Sequence, residues 1–168
     1  MKFISAIIAL ILLTGCWPSS VSFVDGTMHV EWKTFFVKTL ENNAPNTPLS
    51  YAPNLSEDIK DGIQNKTKLQ LNSSADDAEI EIEGLIVNYS ITPIAMQEGD
   101  NASRNRLTIS VNFKLFIHAP EEDEMTLVST RFIDYDSNID LGIVETQLLA
   151  EVNSQIVQDV INKLLSNW

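Results

Sequence analysis

Few side chains in this chain have the type and spacing for chemistry, and the most distinctive is Cys16, the only cysteine among 168 residues. With no intramolecular disulfide partner, its thiol would be a liability in an oxidising compartment unless it is covalently modified. A second candidate is the run Asp134-Tyr135-Asp136-Ser137-Asn138-Ile139-Asp140 followed by Glu145. Its oxygen side chains fall at the first, third, fifth and twelfth places of an EF-hand calcium loop. Ile139 stands where that loop needs glycine, and a β-branched residue resists positive φ. The preferred reading is a strand-to-helix connector in which Asn138 or Asp140 caps the last helix and Glu145 lies in its first turn, with no metal bound. The third candidate is cationic. Arg104, Arg106 and Lys114 lie on or beside one strand and could contact an anionic head group, because guanidinium meets phosphate in a bidentate fork. Solvated strand charges that discourage edge pairing account for them equally well. His29 and His118 fall on different strands with no motif around them, and no Gly-rich phosphate loop appears. The catalytic set is therefore empty, and the chain is read as no enzyme.

The setting of Cys16 explains its chemistry. Met1-Lys2 is a short positive start, residues 3–13 are apolar or small, and Leu13-Thr14-Gly15-Cys16 closes the run. A bilayer-spanning helix needs about 20 apolar residues, so this run is the apolar core of a cleavable secretory signal. Small residues at 14 and 15 let a peptidase reach the backbone, and a cysteine directly after them resembles the lipobox of bacterial lipoproteins. Residues 1–15 are accordingly expected to be removed and Cys16 to carry diacylglyceryl and acyl chains, several chains on one residue being enough for stable anchoring. No other cofactor is expected. Trp17 follows the cysteine where aspartate would retain a lipoprotein in the inner membrane, so the expected location is the outer membrane, with the body facing the periplasm.

The formal net charge of −12 makes nucleic acid a poor partner, since phosphate binding needs a concentrated cationic surface. Much of the acid lies in two short runs, Asp76-Asp77-Ala78-Glu79 and Glu121-Glu122-Asp123-Glu124, which read as solvated loop tips. An apolar share of 44% suffices for one core, so residues 16–26 are expected to be a lipidated tether and residues 27–168 a single domain.

The elements that must position these side chains follow from periodicity. Residues 27–37 alternate as a first strand, with Met28, Val30 and Trp32 on one face. Residues 41–48 have loop chemistry, with two prolines and three asparagines. A helix is expected to begin near Asn54 or Ser56, with Glu57 and Asp58 in its first turn and Leu55, Ile59 and Ile63 on one face, weakened by Gly62. Residues 79–83 alternate strictly, and Gly84 marks a bulge or a covered point before the wholly apolar Leu85, Ile86 and Val87. Residues 106–118 form the clearest strand, and a turn at 119–124 pairs it with residues 125–136 as a hairpin. From about residue 142 to 165 a long helix carries Val144, Leu148, Val152, Ile156, Val160 and Leu164 on one stripe, widened by Leu149, Val157, Ile161 and Leu165. The expected fold is α+β: a four-stranded, largely antiparallel sheet with two helices packed on one face and a polar opposite face.

With the lipobox, residues 35–45, Arg104-Asn105-Arg106-Leu107 through Val111, and Arg131-Phe132-Ile133-Asp134-Tyr135-Asp136-Ser137 all considered, the chain resembles the LptE family. It is most similar to the branch described for Bacteroidetes, down to the terminal Ser166-Asn167-Trp168. The resemblance implies an outer-membrane lipoprotein that plugs the lumen of the β-barrel LptD, helps assemble it, and takes part in inserting lipopolysaccharide into the outer leaflet. Its implied partners are an LptD-like barrel, lipopolysaccharide and, through the anchor, the membrane. It transfers no lipopolysaccharide-binding residue, so Arg104, Arg106 and Lys114 rest on charge. A second class of function stays open: an independent periplasmic lipoprotein that captures a small ligand or calcium without an obligate barrel.

Overall fold

The computed structural model describes residues 32–94 and 103–165. The readings for Cys16, His29, the leader, the tether, residues 27–31 and residues 166–168 lie outside them. In chain order the elements are β1 (Thr34–Val37), β2 (Glu41–Asn42), α1 (Tyr51–Lys66), β3 (Gln70–Leu71), β4 (Ile80–Ile94), β5 (Arg104–Ile117), β6 (Asp123–Asp136) and α2 (Leu141–Leu165).

The sheet has six strands of mixed direction in the order β3-β1-β4-β5-β6, with β2 also on β4. This corrects the expected four largely antiparallel strands. β4–β5 and β5–β6 are antiparallel as the hairpin pattern requires, but β1 runs parallel to both β3 and β4, and β2 runs parallel to β4. The parallel pairs arise because α1 carries the chain back between β1 and β4, and a crossover returns a strand in the same direction. β2 and β3 have two residues each, too few for a period to be read.

α1 starts at Tyr51, earlier than Asn54 or Ser56. Pro53 does not prevent this, because a proline in the first turn gives up an N–H that has no intrahelical acceptor. Glu57 and Asp58 consequently fall in the second turn. Ser56 is buried; its hydroxyl donates to the Ala52 carbonyl at 2.7 Å and accepts from the Leu40 N–H at 2.9 Å. Leu55, Ile59 and Ile63 are fully buried as their spacing requires. α2 begins within a residue of its expected start, and Asp140 caps it by accepting the Gly142 N–H at 2.9 Å.

The bulge of β4 sits at Val87, not at Gly84. Ile86 pairs with Val111 and Asn88 with Ser110, leaving one extra residue between them. The extra residue exchanges the faces, so Ile82 and Ile86 point inward before it and Tyr89 after it. That exchange is why Leu85, Ile86 and Val87 read as apolar on both faces. Gly84 serves close approach instead: a Cβ there would lie 2.8 Å from Leu40 and 3.0 Å from the Phe113 ring. The core lies between the helices and the inward residues Leu107, Ile109, Val111, Phe113, Leu115 and Ile117 of β5. Each such side chain withdrawn from water contributes about 1.5–3 kcal/mol.

Candidate functional site

The opposite sheet face is the open one. It carries the even-numbered residues of β5 and β6 and, beyond the bulge, Asn88, Ser90 and Thr92 of β4. Its centre is rich in neutral hydrogen-bonding groups: Ser110 and Thr130 bond at 2.9 Å, and the Asn88 amide donates to Ser90 at 3.0 Å.

The three cations expected here do share this face, but they do not form one cluster. Arg106 and Lys114 are eight residues apart along β5, roughly 27 Å at strand rise. Arg106 is already engaged by Asp134, its pair across the ladder, with Nε–Oδ1 at 2.7 Å and Nη2–Oδ2 at 2.9 Å, and it stacks 3.8 Å above the Phe132 ring. The Arg106 hydrogen bonds hold the Asp134 carboxyl below the usual carboxylate range, with the charge of Arg104 adding to the effect. Arg104 stands opposite Asp136. Lys114 lies 3.5 Å from Glu124 and lines a concavity of about 270 Å³ with Lys38, Thr39, Glu83, Gly84 and Asn112. Lys38 contacts Glu83 there at 2.6 Å.

The run that resembled a calcium loop is dismantled by its neighbours. Asp134 serves Arg106, Asp136 accepts the Asn138 N–H, Asp140 caps α2, and Glu145 accepts the Tyr89 hydroxyl at 2.5 Å. Among the described residues no group of carboxylates, histidines or cysteines is arranged to hold a metal. His118 is half-exposed on the strand end, 3.6 Å from Glu81.

Two polar clusters on the helix side were not foreseen. Asp159 of α2 accepts bonds from Ser129 at 2.6 Å and from Arg131 Nε at 2.7 Å, while Arg131 Nη2 grips its other oxygen. Asn153 receives the Tyr51 hydroxyl at 2.8 Å and donates to Asp58 at 2.6 Å. The signal was present in the alternation: Ser129 and Arg131 sit at odd positions of β6, the inward parity, where a polar residue needs a partner across the layer. Burial opposes ionisation of Asp159, but the bonds from Arg131 and Ser129 outweigh it and hold its carboxyl below the ordinary range. A carboxyl lowered in the folded state stabilises above its unfolded pKa, and that stability is lost as pH falls through the folded value. Asp159→Asn should therefore destabilise by about 2 kcal/mol at neutral pH and by progressively less below about pH 4. Urea melts of both proteins from neutral to acid pH check this; a pH-independent difference would remove the charge from the account.

A family model described as lipopolysaccharide-assembly, LptE, matches residues 32–164. The chain belongs to the LptE family. The match reaches every described element, stopping one residue short of the end of α2, and the family is a non-enzymatic one of lipopolysaccharide assembly that depends on no cofactor. Among solved structures, a protein of Xanthomonas campestris shares the fold at a TM-score of 0.51 and 13% identity, over 80% of this LptE-family chain and 84% of that one. A minor lipoprotein of Acinetobacter baumannii aligns at 14% identity and a TM-score of 0.48, over 81% and 94% of the two chains. An uncharacterized lipoprotein B of Nitrosomonas europaea aligns at 18% and 0.45, over 77% and 79%. No curated protein matches.

Proposed function

We propose that this LptE-family protein is an outer-membrane lipoprotein anchored at Cys16, that it plugs and helps assemble an LptD-like β-barrel, and that it takes part in inserting lipopolysaccharide into the outer leaflet. The observation that carries the reading is the family match across residues 32–164. The open sheet face supports it: a barrel lumen is polar, so a plug suits it best with neutral hydrogen-bonding groups such as Thr108, Ser110, Asn112 and Thr130. For lipopolysaccharide contact, Arg104 and Lys114 are the more available cations, whereas Arg106 would have to release Asp134.

Affinity purification of the protein from its own cells should bring down a large outer-membrane barrel in equal amount. Depletion should lower the amount of assembled barrel and sensitise cells to large hydrophobic antibiotics. Normal barrel assembly and an intact permeability barrier after depletion would leave an independent binding lipoprotein as the better account. Arg104→Glu with Lys114→Glu should weaken lipopolysaccharide binding with little change in stability, since both side chains are exposed.

A further inference from the structure

β6 is an end strand of the sheet, paired with β5 along all of Asp123–Asp136 and with no other described strand. Alternate residues of such a strand direct N–H and C=O groups outward, a template for another strand. Proteins usually blunt these edges with proline, lysine, bulges or short length. β6 has no proline or lysine, its register with β5 is unbroken, and it runs for 14 residues. Its inward charge, Arg131, is tied to Asp159. On the open face the edge also exposes Val128 (69%) and Phe132 (50%), four residues apart.

We infer that β6 is a docking edge for an extended segment of another polypeptide, a strand with alternating apolar residues and basic residues at its ends. Charge selects this occupant. Residues 121–140 carry seven carboxylates and one arginine. Glu124, Asp134 and Asp136 face Lys114, Arg106 and Arg104 of β5, whereas Glu121, Glu122 and Asp123 at the start of β6 and Asp140 past its end are not set against a β5 cation. A second copy of this chain is disfavoured by the same charges. The antiparallel register that would cover Val128 with Phe132 of a copy, centred on Thr130, sets Glu124 against Asp136 at both ends. Like charges directly opposite across strands are destabilising. A basic-ended strand meets those carboxylates favourably while its apolar residues cover Val128 and Phe132, which is strand addition with specificity from alternate side chains. The inference is independent of the barrel reading.

The test uses the purified full chain in detergent and a synthetic peptide with valine, isoleucine and phenylalanine at alternate positions and lysines at both ends. Its counterpart has glutamates in place of the lysines. Fluorescence anisotropy should show the lysine-ended peptide binding at least about ten-fold more tightly. Amide exchange should slow at alternate β6 residues around Val128 and Phe132 when that peptide is bound. The double variant Val128→Lys, Phe132→Lys should lose this binding with an unchanged circular dichroism spectrum, since both positions are exposed. Equal binding of the two peptides, no β6 protection, edge amides already protected in the free chain, or concentration-dependent dimerisation through β6 would each overturn the proposal.

Discussion

Gly62→Leu is expected to destabilise the domain by at least about 3 kcal/mol, lowering Tm by roughly 10 °C. Gly62 lies where α1 crosses α2, and a Cβ built there would stand 2.2 Å from Val157 Cγ1. No real contact is that short, and Val157 cannot turn away easily because its branched Cβ restricts χ1. Relief must come from moving the helices apart, which would also pull on the bonds that Asn153 accepts from Tyr51 and donates to Asp58 and on the one that Lys66 donates to Gln158. Two effects compete in the milder variant Gly62→Ala. Helix propensity favours alanine by about 1 kcal/mol, whereas forcing one carbon into a packed interface costs about 1–3 kcal/mol. The overlap is severe, so the steric effect should win and Gly62→Ala should lower Tm. Adding Val157→Ala should return part of the loss, a coupling that a double-mutant cycle measures. If Gly62→Ala raises Tm instead, the helix crossing is looser than described.

Cys16→Ala should transfer the protein from the membrane pellet to the soluble fraction almost completely. The proposed covalent lipid is the anchor that the variant removes, and no helix among the described residues is long and apolar enough to cross a membrane. A single acyl chain supports only marginal, reversible binding, and a variant with none should wash off. Fractionation should be done in cells lacking the proposed barrel partner, because a protein plug would be retained there by contacts unrelated to lipid. Metabolic labelling with palmitate should disappear in the same variant. Retention in washed membranes without the partner, or persistent labelling, would sink the assignment of Cys16.

Periodicity along the chain was enough to determine β5 and α2, whereas for β4 it stopped at Val87 although the strand runs to Ile94. The two-residue alternation of residues 106–118 specified β5 and which of its faces is buried, and the turn after it specified the hairpin with β6. The four-residue spacing from Val144 to Leu164 specified α2 and left its cap to Asn138 or Asp140, of which the structure uses Asp140. These features are local, so neighbouring residues carry the whole signal. Only the tertiary structure decided the rest. The parallel pairings of β1, β2 and β3 depend on where α1 returns the chain, and strands of two residues have no period. The extra residue at Val87 is visible only against the partner strand that fails to match it. Arg106 looked available for a ligand because its charge could be read, whereas its engagement by Asp134 comes from a position 28 residues away. Likewise Arg131 and Ser129 declared by parity that they point inward, but that Asp159 waits there is a fact of helix-on-sheet packing. Charge and period belong to short segments, while the partner of a side chain is set by long-range contacts that no short segment encodes.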